Sequence, residues 1–286
     1  MEKTESRRAI VNRIIPFSNV DGPGNRMAVF LQSCPFRCYY CHNPETIHMC
    51  NNCGECVSHC PKKALSIVDG KVVYDASLCV GCDTCIHVCP NLSSPKTVSM
   101  SVDDVIGKIR EVRPFIRGIT ISGGECMNQS DFLFELFSKL RKEDPTLSLL
   151  LDSNGFHDYR KKEELMMISD GVMLDVKAFD PEFHKFLCGV DNRSVLSNLS
   201  YLLSIHRLEE VRTVILPGYE KENENTVREV SKIIKDRCRY KLLRYRYFGV
   251  REEGVKLFGR GICPEEEMER MKKIALENHA DKVVII

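Results

Sequence analysis

Fifteen cysteines restrict what this chain of 286 residues can fold into, because eleven of them stand in three tight clusters. Cysteines two or three residues apart leave little room for disulfide geometry, so the clusters read as metal ligands kept in a reducing compartment. The first cluster, Cys34-Pro-Phe-Arg-Cys38-Tyr-Tyr-Cys41, offers three soft donors with no fourth nearby. A structural zinc site closes with four ligands, whereas three thiolates can grip a [4Fe-4S] cube and leave one iron open to an outside ligand. The spacing predicts a reactive cluster.

The other two clusters form an internal repeat. Cys50, Cys53, Cys56 and Cys60 precede Pro61, and Cys79, Cys82, Cys85 and Cys89 precede Pro90, with the same spacing each time. This is the two-cluster bacterial ferredoxin run, in which the fourth cysteine of each motif serves the other motif's cluster. Cys50, Cys53, Cys56 and Cys89 would hold one cube, and Cys79, Cys82, Cys85 and Cys60 the other. Four thiolates leave no open iron, so these cubes would carry electrons only. Between the motifs, residues 65–74 read as a hairpin turning at Asp69-Gly70.

A hydrophobic share of 43% suffices for one large core and a smaller module, and a net charge of +1 gives no field that draws the chain to nucleic acid or membrane. Charged residues interrupt the N-terminus where a signal peptide would be apolar, and no run reaches membrane-spanning length, so the expectation is a soluble cytoplasmic protein. Residues 9–17 and 27–32 read as strands around the turn Val20-Asp-Gly-Pro-Gly24. From residue 101 onward strand and helix signals alternate. Helices are expected over 102–113, 130–142, 160–168, 193–206, 226–237 and 264–277. Strands are expected over 119–122, 147–151, 172–176, 211–216, 241–248 and 282–286. The fold expected is α/β, a partial (β/α)6 TIM-like barrel. Residues 1–46 and 98–286 would supply the barrel, and 47–97 an inserted ferredoxin-like domain.

Parallel α/β folds place ligands at the C-terminal ends of their strands. There the sequence puts Ser122-Gly123-Gly124-Glu125, whose glycines admit a ligand to the backbone and whose carboxylate suits an ammonium group. Asp152-Ser153-Asn154-Gly155 suits ribose hydroxyls or a hard cation. In Met173-Leu-Asp175-Val-Lys177, strand alternation puts Met173, Asp175 and Lys177 on one face, where an acid and a base must pair or meet a ligand.

The CxxxCxxC loop with Tyr40 resembles the motif of the radical S-adenosylmethionine (radical SAM) superfamily. Together with Asp21-Gly-Pro-Gly24, His42-Asn43, the double ferredoxin motif, Ser122-Gly-Gly-Glu125, Asp152-Ser-Asn-Gly155 and Asp175-Val-Lys177, it resembles the glycyl radical enzyme activating enzymes, the YjjW-type most closely. The resemblance implies three [4Fe-4S] clusters and SAM bound to the one on Cys34, Cys38 and Cys41. It implies that Tyr40 and His42 flank the adenine and that Gly123, Gly124 and Glu125 meet the methionyl amine. Asp152 and Ser153, with Met173 and Asp175, would surround a monovalent cation, Lys177 would meet the SAM carboxylate, and Asp21 and Asn43 would lie near the partner's glycine loop. The partners implied are a glycyl radical enzyme and a flavodoxin or ferredoxin-type reductant. Two rival readings are a radical SAM enzyme acting on a small molecule or RNA, and an iron-sulfur electron-transfer protein. The run 237–251 is basic with interleaved tyrosines, as an RNA strip can be, but with a net charge of +1 it reads better as a strand with Arg244 and Arg246 on one side and Tyr245 and Tyr247 on the other. Cys126, Cys188, Cys238 and Cys263 read as small packing residues.

Overall fold

A computed structural model describes residues 6–286. Strands β1 (Arg8–Ser18) and β2 (Arg26–Leu31) pair antiparallel across a turn in which Gly22 and Gly24 take positive φ of 119° and 78°. β2 is buried along its whole length, as an uninterrupted apolar run requires when both faces of a sheet are covered.

The chain then leaves the sheet. α1 (Glu55–Ser58), β3 (Leu65–Val68), β4 (Lys71–Tyr74) and α2 (Thr84–His87) form a small unit whose two strands pair antiparallel through the expected Asp69-Gly70 turn. The sequence repeat is also a backbone repeat: positive φ recurs at Asn52 and Gly81, at Gly54 and Asp83, and at Lys63 and Leu92. Gln32 Nε2 pins the entry to this unit by donating to the Glu45 and His48 carbonyls at 2.7 and 2.6 Å. The exit, β5 (Val98–Ser101), pairs antiparallel with β1. His48 N donates to the Leu92 carbonyl at 3.2 Å, so the two ends adjoin.

Ser101 caps α3 (Val102–Val112) in a reciprocal capping box with Asp104. The chain continues through β6 (Gly118–Gly123), α4 (Ser130–Glu143), β7 (Ser148–Ser153), α5 (Glu163–Ile168), β8 (Gly171–Asp175), α6 (Pro181–Cys188), α7 (Arg193–Ser204) and β9 (Leu208–Ile215). It ends with α8 (Glu220–Ile234), β10 (Arg239–Arg244), α9 (Glu252–Phe258), α10 (Glu265–Glu277) and β11 (Val283–Ile285). The sheet order is β11-β10-β9-β8-β7-β6-β2-β1-β5, parallel from β2 to β11. It is a mixed α/β fold around a central parallel sheet whose edges are β5 and β11. β11 adds a seventh parallel strand to the six expected of a (β/α)6 barrel. Odd and even residues divide cleanly: Leu149, Leu151, Val172, Leu174, Val211 and Leu242 join the main core, while Asp152, Asp175, Arg212 and Lys241 line a cavity on the opposite face.

Several elements depart from expectation. The strand expected over 241–248 starts earlier and stops at Arg244. β5 was not anticipated, being too short at four residues to announce itself. α6 and α9 were not anticipated, although Asp180-Pro181 at the start of α6 and Gly189, with φ of 85°, at its end are ordinary start and stop signals. Among the described residues no helix is long and apolar enough to cross a membrane.

Candidate active site

The cysteine loop is a folded object before any ligand is considered. Ser33 N and Cys34 N donate to the Thr46 and Ile47 carbonyls, both at 2.9 Å. Arg37 N and Tyr39 N donate to the Cys188 and Leu187 carbonyls at the end of α6, at 2.9 and 3.0 Å. On the other side, Arg251 reaches the Arg37 and Cys38 carbonyls, and Gly254 in α9 lies so close that an added Cβ would stand 1.9 Å from the Tyr39 carbonyl oxygen. The loop thus presents Cys34, Cys38 and Cys41 to one cavity of about 1560 Å³, its open mouth included. Tyr40, His42, Asn43 and Asp21 line the same cavity, as do Ser122, Gly123, Gly124, Asp152, Ser153, Asn154, Asp175 and Lys177. Nearly every residue singled out from the sequence therefore converges on one place at the C-terminal strand ends.

The thiols are buried, and burial raises Cys41 to about 12 and pushes Cys34 up as well. Cys38 is held low by the hydrogen bond it shares with Cys188, the two Sγ atoms 3.5 Å apart. Cys188, expected to be mere packing, is thus a neighbour of the cluster loop. Asn154 Nδ2 donates to Cys34 Sγ at 3.5 Å. Among the described residues the Tyr40 hydroxyl, buried in this cavity wall, finds no hydrogen-bond partner. Three soft donors, an orphaned hydroxyl and a cationic Lys177 beside them suit an iron-sulfur cluster carrying a ligand with polar ends.

At the strand ends two roles differ from expectation. Gly123 and Gly124 are required by packing: a Cβ on them would stand 2.2 Å from the Leu31 carbonyl oxygen and 2.3 Å from that of Ser33. They still line the cavity, but their bareness first lets β6 abut the cysteine loop. Glu125 lies outside the cavity lining. Its buried carboxylate accepts from Met127 N at 2.9 Å, Ser153 Oγ at 2.7 Å and Asn154 N at 2.7 Å. Burial raises it to about 7 against those bonds, so it buttresses the Asp152–Gly155 turn instead of facing a ligand's amine.

The Asp175 and Lys177 pair is present, with Nζ 2.6 Å from Oδ2. Burial, the largest single effect, opposes the charge on Lys177, but Asp175, Tyr40 and Cys38 together outweigh it and lift the ammonium well above its ordinary value. Sequence reasoning missed the cations opposite. Arg212 on β9 donates from Nη1 to Asp152 Oδ2 at 3.0 Å, from Nη2 to Met173 Sδ at 3.0 Å and from Nε to Glu210 Oε1 at 2.6 Å. Lys241 on β10 also pairs with Glu210, at 2.9 Å. The signal was available: Glu210, Arg212 and Val214 alternate along a strand, which gives them the face that Met173 and Asp175 take on the next one. In the basic run 237–251, Arg239 and Lys241 pair with Glu210, Arg244 with Glu265 and Arg251 with Glu253. Most of its charge is spent internally.

Two smaller cavities lie in the inserted unit. One is lined by Cys79, Cys82, Cys85 and Cys60, the other by Cys50, Cys53, Cys56 and Cys89. The eight cysteines are thus sorted into the two crossed sets expected from the repeat. Among the described residues no three His, Cys, Asp or Glu side chains converge on a single-ion site.

Against known proteins, the sequence profile of the radical SAM superfamily matches residues 29–234. The chain is 30% identical to the pyruvate formate-lyase-activating enzyme of Streptococcus mutans over 91% of this chain and 87% of that one. It is 30% identical to the (2S)-3-sulfopropanediol sulfolyase activating enzyme of Bilophila wadsworthia, over 94% and 97%. Among solved structures, Streptococcus suis SuiB bound to precursor peptide SuiA superposes with a TM-score of 0.58 at 10% identity, over 89% of this chain and 47% of that one. Escherichia coli QueE superposes with a TM-score of 0.51 at 14% identity, over 98% and 94%. The structural likenesses speak for the fold alone, a mixed α/β fold around a central parallel sheet. With three cysteines of one loop opening on the cavity at its strand ends, the chain belongs to the radical SAM superfamily and, within it, to the glycyl radical enzyme activating enzymes.

Proposed function

We propose that this chain installs a glycine-centred radical on a partner enzyme, using SAM held in the cavity described above. A [4Fe-4S] cluster held there would supply, from an outside reductant, the electron for cleavage of SAM to methionine and a 5′-deoxyadenosyl radical, the species that would take a hydrogen atom from a glycine Cα. Cys34, Cys38 and Cys41 hold the cluster. Tyr40 and His42 border the adenine, and His42 is fixed by Nε2 against the Arg246 carbonyl at 2.9 Å. Lys177 meets the carboxylate of SAM, and the Gly123-Gly124 backbone its amine. Phe30, Phe36, Val214 and Leu243 give the cavity apolar walls that keep water from the reacting atoms. Asp21 and Asn43 line the cavity and receive the partner's glycine loop.

The observation that carries this reading is the convergence of the three loop cysteines, Asp175 and Lys177 on one cavity. In the same reading residues 47–97 form a ferredoxin-like domain with two further [4Fe-4S] clusters, on the two crossed cysteine sets. They accept electrons from a flavodoxin or ferredoxin-type reductant in the cytoplasm. The test is to mix the reduced, cluster-loaded protein with SAM and a candidate glycyl radical enzyme without oxygen. A glycyl radical doublet in the EPR spectrum, matched by 5′-deoxyadenosine and methionine, is the expected result. Cleavage of SAM that never yields a doublet with any such partner, but modifies a small molecule or RNA, would replace this reading with its first rival.

A further inference from the structure

Two half-buried carboxylates, a thioether and a hydroxyl at the ends of adjacent strands form a donor set on which a monovalent cation could sit. In this chain the set is already taken. One guanidinium bonds Asp152 Oδ2 and Met173 Sδ, each at 3.0 Å, and Asp175 reinforces its charge from the neighbouring strand, where it is paired in register with Arg212. The Ser153 hydroxyl is turned away to Glu125 and Tyr159. The acids are matched by bases: Asp152 by Arg212, Asp175 by Lys177, and Glu210 by Arg212 and Lys241. A further cation placed there would meet a guanidinium within contact distance and find Oδ2 of each carboxylate already engaged.

We propose that Arg212 is a built-in replacement for a monovalent cation, so that this chain binds SAM without sodium or potassium. The inference rests on SAM occupying the cavity. Arg212 has five N–H donors and its intramolecular contacts use three, which leaves two for an anion in the cavity that its side chain lines. A planar fork fixed by Glu210 and Asp152 also keeps Asp152 in place, a positioning role that a mobile ion would otherwise fill.

The test measures SAM affinity by equilibrium dialysis on the cluster-loaded protein, in potassium chloride and in tetramethylammonium chloride at equal ionic strength. The expected result is that the affinity of the unaltered protein differs by less than about twofold between the two salts, whereas Arg212→Ala binds about tenfold more weakly in tetramethylammonium and regains most of that loss in potassium. A tenfold dependence of the unaltered protein on potassium would overturn the proposal, as would an Arg212→Ala variant that potassium fails to rescue. A second measurement needs no SAM: the thermal midpoint of the unaltered protein is expected to be the same in both salts. A potassium-specific rise that Asp152→Asn abolishes would show an ion entering the site, and would overturn the proposal even if Arg212→Ala did not fold. Failure of the unaltered protein to bind SAM in either salt would strike the functional reading instead, and the midpoint comparison would still decide the cation.

Discussion

Gly124 shows how one residue can carry two readings. As part of a Gly-Gly-Glu sequence it suggests room for a ligand, yet its Cβ position is filled by the Ser33 and Thr46 carbonyl oxygens, at 2.3 and 2.6 Å. Gly124→Ala is therefore expected to destabilise the fold by about 3 kcal/mol or more, seen as a lower urea midpoint of the SAM-free protein. A ligand-only role would leave that midpoint unchanged. Glu125 makes a pH prediction. Its carboxyl titrates near 4.5 in the ordinary state and at about 7 in the fold. Between those values the folded state holds the extra proton, so this group's contribution to stability is complete below pH 4.5 and is lost as pH rises through 7, by about 3 kcal/mol in total. Glu125→Gln stays neutral throughout, so its urea midpoint is expected to fall less than that of the unaltered protein between pH 5 and pH 8. Equal slopes would mean that the three hydrogen bonds, and not burial, set the titration.

The elements around the cysteine loop explain what the sequence made legible and what it hid. Long periodic helices such as α3 and α4, and strands with uniform burial such as β2, were readable because their apolar spacing repeats over several turns or residues. The crossed cysteine sets and the Asp175 and Lys177 pair were readable because ligand spacing and strand parity are local properties. The face that Arg212 takes was readable in the same way, but its partners were not, since they lie on β7 and β8, distant in sequence and joined to it only by the register of the sheet. α9 was hidden for a related reason: seven residues carry too little periodicity, and its importance lies in what it touches. Gly254→Ala should push α9 off the Tyr39 carbonyl. The expected outcome is reduced iron retention after reconstitution, with the helical circular dichroism signal largely kept. Full iron loading would show that α6 and the Thr46–Ile47 segment suffice to hold the loop. At the start of α3, Ser101→Ala removes one half of a capping box and is expected to cost about 1 kcal/mol in a urea titration.

At the scale of the whole molecule, a parallel sheet supplies the chemistry at one end and a cysteine-rich unit sits beside it. Cys53→Ala and Cys82→Ala should each lower iron content by about a third while SAM cleavage by a strong chemical reductant persists. A sharp loss with a flavodoxin under the same conditions would mark the unit as the route for electrons; unchanged turnover with both donors would make it a docking surface instead. The chain enters and leaves this unit at a single seam, where His48 and Leu92 share a hydrogen bond and Asn91 Nδ2 reaches the Met49 carbonyl at 2.8 Å. The unit is therefore a cassette: cut out and bridged by a few small residues, it should leave behind a smaller activase that still folds, that titrates as a one-cube protein, and that depends on a stronger source of electrons.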